Sequence, residues 1–207
     1  MSPIITHQDE LELAKNEKEL ASQLKKLAKW QRAIGRSQIK LAEDLAKINI
    51  ERQNLNRIFR DVLKQMQTLV REHRSNVNDE EVNIFQNLIN ANDEYLERNT
   101  LYINAIKDLA IRKQDLATRK DLFANALSDL AGKRSNVIKK ALNIEKTKNK
   151  LIEGAKLTQL ENQLDDSQRE IERAKNILRK EIDQFLQVRT ELNELWLKLK
   201  DSISEMS

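Results

Sequence analysis

Adjacent pairs of cations are the residues in this chain best suited to chemistry with a partner. Arg112-Lys113, Arg119-Lys120, Lys133-Arg134 and Lys139-Lys140 recur at about heptad spacing, with Ala126-Leu127 in the one slot without charge. They lead on to Lys146, Lys148, Lys150 and Lys156. In a supercoiled helix a seven-residue spacing holds such pairs on one side. The chemistry on offer is electrostatic attraction for an anionic polymer or an anionic membrane. Near a membrane each Lys or Arg is worth about 1 kcal/mol, screened beyond a Debye length. The bland reading of the same run is a salt-bridged helix face, helped by Asp115 and Asp121. Nucleic acid responds to the same charge, but the basic stretch has no interleaved aromatics for base stacking apart from Phe123, so no nucleic-acid partner is expected.

Catalysis needs groups that converge in a pocket. His7 lies in the N-terminal lead-in and His73 at the end of the first helix, and the carboxylates fit solvated faces and caps. There is no HExxH and no Gly-rich phosphate loop. The expectation is no enzyme, no catalytic or metal-ligating residue and no cofactor. With no Cys there is neither a disulfide framework nor a thiolate metal site, which suits a reducing compartment. No run approaches the ~18 apolar residues of a membrane span.

The elements that position the cations are long helices. Three Gly and one Pro (Pro3) in 207 residues, with 34% charged and 4% aromatic side chains, describe rods and not a compact enzyme. Net charge is +4, unevenly spread: Ala105–Lys156 holds thirteen Lys and Arg against six Asp and Glu. Three unbroken heptad stripes run along the chain. The first is Leu13, Leu20, Leu27, Ile34, Leu41, Ile48, Leu55, Val62 and Leu69. The second runs every seventh residue from Leu88 through Tyr95, Tyr102, Leu109, Leu116, Phe123 and Leu130 to Leu151. The third runs from Leu157 to Leu199. A strict seven-residue repeat keeps one seam on a partner helix when the helices wind left-handedly around each other.

After a lead-in of residues 1–8, these stripes predict helix one over about 9–73, helix two over about 79–153 and helix three over about 158–205. Thr6 with Asp9, and Asn78 with Glu81, fit helix N-termini. Gly154 fits a C-cap, and Thr158–Glu161 reads as a capping box. Short turns make the neighbours antiparallel. A fold-back near residue 76 sets residue i of helix one level with about residue 152 − i of helix two, and one near 155 sets residue j of helix three level with about 310 − j, so that Glu205 reaches only to about Ala105. Helix three is then missing alongside Val82–Asn104 and the facing Ile48–Val70, about 35 Å of helix.

That uncovered end is apolar. It carries Ile58, Phe59, Val62, Leu63, Met66, Leu69 and Val70 on helix one, and Phe85, Leu88, Ile89, Tyr95, Leu96 and Tyr102 on helix two, with Trp196 close by. Monomeric soluble proteins avoid such a patch, and an identical end from a second chain under two-fold symmetry covers it. The expected fold is all-α: a long antiparallel three-helix coiled coil with a six-helix bundle at a dimer centre.

This plan resembles a BAR domain, and most of all the BAR domain of sorting nexins. The resemblance covers the chain from about Asp9. It is carried by the stripe lengths, by Lys146–Lys156 and by Leu160-Glu161-x-Gln163-Leu164 … Ile177-Leu178-x-x-Glu181-Ile182-x-x-Phe185 leading to Trp196. It implies a homodimer or heterodimer that senses or generates curvature at the cytosolic face of endosomal membranes, supporting tubulation and protein sorting. It further implies concave-face contacts from Arg112 to Lys140 and tip contacts from Lys146 to Lys156, on anionic lipids including phosphoinositides. Sorting nexins place a phosphoinositide-binding PX domain ahead of the BAR domain, and these residues contain none. The alternative is a structural coiled-coil scaffold or tether whose partners are proteins.

Overall fold

The computed structural model describes residues 6–72, 78–146 and 150–205, with only the backbone described at 145, 146, 150–153 and 205. The described residues are all-α, with no strand among them. Helix α1 spans His7–Arg71, α2 spans Asp79–Lys146 and α3 spans Lys150–Glu205.

Two of the helix starts follow from their caps. Thr6 N–H donates to Asp9 Oδ2 at 2.8 Å while Asp9 N–H donates to Thr6 Oγ1 at 3.2 Å. Asn78 and Glu81 make the same reciprocal exchange at 3.0 and 2.9 Å. Each exchange satisfies orphan N–H groups and places a carboxylate at the positive end of the helix. The third expected start is wrong. Gly154 lies inside α3, and Thr158 Oγ1 donates back to the Gly154 carbonyl at 3.3 Å instead of capping a helix. A glycine in a helix costs only about 1 kcal/mol, so neighbours that favour helix override it. Helix α2 therefore ends at Lys146 instead of about 153, and α3 begins at Lys150 instead of about 158.

The chain divides into two units: Met1–Ala33 with Arg112–Phe185, and Ile34–Ile111 with Leu186–Ser207. In the first unit α1 and α2 run antiparallel, with Glu17 bonded to Arg134 and Gln31 to Lys120. The pairing of Glu17 matches the expected level. The level of α3 does not: Ser167 meets Lys133 instead of residue 143. The core packs Ala21, Ala124 and Leu127 against Leu24, Phe123 and Ile171.

In the second unit Asn49 meets Leu96 and Thr100, and Asn56 meets Asp93. Trp196 packs on Tyr102 instead of near residue 114, and Ser202 reaches Arg98. Because α3 starts early, it covers part of α2 that the sequence reading leaves bare. The two-helix stretch retreats to the cluster of Leu63, Val82 and Ile89.

The innermost rows are not the expected stripes. On α1 the buried row is Ala14, Ala21 and Ala28 in the first unit, and Gly35, Ala42, Asn49, Asn56 and Leu63 in the second. The leucine-rich stripe one residue before it is between 39% and 53% exposed. On α2 the buried row is Val82, Ile89, Leu96, Ile103 and Ala110 in the second unit, and Ala117, Ala124, Ala131 and Ile138 in the first. It too lies one residue from the expected stripe, of which Leu109, Leu116 and Leu130 are buried and Leu88 is exposed. Small side chains let two backbones approach closely, so the alanine rows take the centre and the larger residues flank it.

Candidate interaction surfaces

Four of the eight paired cations bond across helices. Arg112 Nη1 donates to Gln184 Oε1 on α3 at 3.1 Å and lies 3.8 Å from buried Glu181. Lys133 Nζ sits 2.6 Å from Ser167 Oγ on α3 and 2.8 Å from Asp129. On the α1 side, Lys120 Nζ donates to Gln31 Oε1 at 3.0 Å, and Arg134 donates to both oxygens of Glu17 at 3.2 and 3.3 Å. Residues 112 and 133 lie a whole number of heptads apart and reach α3. Residues 120 and 134 do likewise and reach α1. Heptad spacing thus puts the pairs astride the α2 seam, where they staple the helices together.

Their titration reflects that shelter. Burial pushes the Lys120 ammonium below its ordinary value. The Lys133 hydrogen bond, with a smaller part from Ser167, holds the Asp129 carboxyl below its own.

The rest of the expected basic face is mixed. Arg119, Lys139 and Lys156 are exposed, and Lys113 and Lys140 are half-buried. Lys148 lies outside the described residues, as do the side chains of Lys146 and Lys150. Sequence reasoning passed over the exposed cations of α1 in the first unit: Lys15, Lys18, Lys25, Lys26 and Lys29. Their signal was visible as Lys15, Lys18, Lys25 and Lys29, spaced to follow one side of a helix.

The expected dimer residues also divide. Leu63, Ile89 and Leu96 are buried within the second unit. Phe59, Met66, Val70 and Phe85 are half-buried against the cluster of Leu63, Val82 and Ile89, and the Phe59 and Phe85 rings meet edge-on with centroids 5.9 Å apart. Tyr95 is half-buried and lies under the Arg52 guanidinium, and Tyr102 is half-buried against Trp196. Ile58, Val62, Leu69, Leu88 and Trp196 are exposed. They are part of a larger set: sixteen of the twenty-three exposed large apolar side chains among the described residues lie in the second unit.

Charge divides the other way. The first unit holds 23 Lys and Arg against 17 Asp and Glu, the second 14 against 16.

A groove of about 490 Å³, open to solvent, lies in the second unit between Gln53, Arg60, Asp93 and Leu96. Its Asp93 is engaged by Asn56 and Arg60. Among the described residues no cluster of His, Asp and Glu is arranged to hold a metal ion, and no helix is long and apolar enough to cross a membrane.

No family model, curated protein or solved structure matches the chain.

Proposed function

We propose that the chain is a dimer-forming helical module that binds anionic membranes, on the plan of the sorting-nexin BAR domain that its sequence resembles. The second unit pairs with a second copy under two-fold symmetry, bringing six helices together. The first unit meets acidic headgroups, phosphoinositides among them, on the cytosolic face of endosomal membranes. Such a dimer senses or generates curvature and serves tubulation and protein sorting. One observation carries this reading: exposed apolar side chains gather in the second unit, while the first holds a surplus of six positive charges. Apolar exposure of that extent asks for a protein partner, and a surplus of positive charge asks for an anionic surface.

The lipid contacts in this reading differ from those expected of the paired cations. Arg112, Lys120, Lys133 and Arg134 are engaged by neighbouring helices. The contacts fall instead to Lys15, Lys18, Lys25 and Lys29, joined by Arg119 and Lys139. Changing the four α1 lysines to Glu is expected to abolish co-sedimentation with vesicles containing anionic lipid, at about 1 kcal/mol lost per residue removed. Helicity and mass should not change. Binding that survives the four changes contradicts the reading.

The engagement of those four cations favours a second reading, a coiled-coil scaffold whose partners are proteins. Binding that rises with anionic lipid and falls with salt separates the first from the second.

A further inference from the structure

In the second unit α1 carries two rows that could lie against α2, one residue and hence about 100° apart. The outer row is apolar throughout: Ile34, Leu41, Ile48, Leu55, Val62 and Leu69. The inner row is Gly35, Ala42, Asn49, Asn56 and Leu63, with two amides at its middle. Apolar burial alone favours the outer row, since a Leu or Ile removes more apolar surface from water than an Ala, and a buried amide is a cost. The chain nevertheless buries the inner row and leaves the outer one about half exposed.

Close approach at the small Gly35 and Ala42 accounts for part of this choice, and hydrogen bonding carries it at Asn49 and Asn56. Asn49 Nδ2 donates to the Leu96 carbonyl at 3.2 Å and to Thr100 Oγ1 at 2.7 Å, while its Oδ1 accepts from Asn99 Nδ2 at 2.7 Å. Asn56 Nδ2 donates to Asp93 Oδ1 at 2.6 Å. The Asn56 Oδ1 is buried with no donor, so this amide is held at a cost that apolar packing does not explain. Turning α1 by one residue would strip Asp93, Asn99 and Thr100 of these bonds.

We infer that Asn49 and Asn56 are positioning residues that set the rotation of α1 on α2 and thereby keep the outer apolar row turned outward for a second helix. The rotational setting belongs to the single chain. Only the use of the free row rests on the dimer reading above.

The chain lacks cysteine, so single thiols can report which row faces inward. In the parent chain Leu63→Cys is expected to be shielded from alkylation, and Val62→Cys to react in chains diluted to monomer. In the Asn49→Ala, Asn56→Ala background, alkylation at position 63 is expected to rise by about tenfold or more and that at 62 to fall. Dimerisation could shield position 62 but cannot open position 63, so position 63 decides. A folded double variant in which 63 stays shielded overturns the inference. If the double variant loses its helical circular dichroism, Asn49→Ala alone is read the same way. Unfolding there too overturns the inference, because no second setting then exists. Light scattering on the parent chain tests the dimer separately, and a monomeric parent would leave the alkylation result standing.

Discussion

Arg134 grips both oxygens of Glu17, with Nη2 at 3.2 Å and Nε at 3.3 Å. The pair joins α2 to α1 from side chains only 18% and 13% exposed. A sheltered, two-pronged arginine–carboxylate contact resists screening better than a surface pair and fixes geometry as well as energy. Its first consequence is for the helices. Arg134→Ala should destabilise the chain by about 1–3 kcal/mol, because Glu17 is left half-buried without its partner. Urea denaturation measures the loss. Vesicle binding by the folded variant should be unaltered, and a selective loss of binding at unchanged stability would return Arg134 to the lipid surface.

The neighbouring contact makes stability depend on acid. Lys133 and Ser167 hold the Asp129 carboxyl below its ordinary value in the folded chain. A carboxylate with a depressed folded value adds stability that is complete above its unfolded value and lost as pH falls through the folded one. Stability should therefore decline below about pH 4. Asp129→Asn should flatten part of that decline while leaving stability near neutrality lower. Thermal melts of both chains between neutral and acid pH check this, and identical pH profiles would contradict it.

Small residues at the centre of the first unit leave no room for larger ones. Ala124 has no exposed surface and packs with Ala21 and Leu127. Ala124→Leu should cost about 1–3 kcal/mol by overpacking, even though it adds apolar surface. The expected stripe residue beside it, Phe123, is only half-buried. A stabilised Ala124→Leu chain, read by its urea midpoint, would place the core at the larger stripe after all.

That contrast explains what could be read in advance. Reciprocal pairing of Thr6 with Asp9 and of Asn78 with Glu81 needs only neighbours in sequence, so those helix starts were legible, as was the level at which Glu17 meets α2. The facing rows depend on contacts distant in sequence. Counting large apolar residues selects Leu13 and its successors, whereas close approach selects Ala14, Ala21 and Ala28. The alanines repeat just as regularly, but a hydrophobicity criterion ranks them second. Gly154 misled for a related reason: read alone it resembles a helix end, and only the packed chain shows that α3 runs through it. The engagement of Arg112, Lys120, Lys133 and Arg134 was hidden for lack of partners in view, since Gln184, Gln31, Ser167 and Glu17 lie on other helices.

Within the second unit, buried and exposed apolar residues should respond differently to charge. Val62 and Leu69 are exposed on the outer row, so Val62→Asp with Leu69→Asp should leave helicity and melting nearly unchanged while driving dimer toward monomer. Met66 sits against the cluster of Leu63, Val82 and Ile89, so Met66→Asp should lower stability by several kcal/mol by burying an unpaired charge. Circular dichroism and sedimentation on the three chains distinguish the two effects. Equal unfolding by both would place the outer row inside the protomer.

In the function proposed above, the exposed apolar residues of the second unit meet another copy of the chain. Multi-angle light scattering across a concentration series tests it most directly. The expected mass is twice that of the 24.2 kDa chain, falling toward one chain only on dilution or on the outer-row substitutions. A steady mass of 24.2 kDa at every concentration would contradict it.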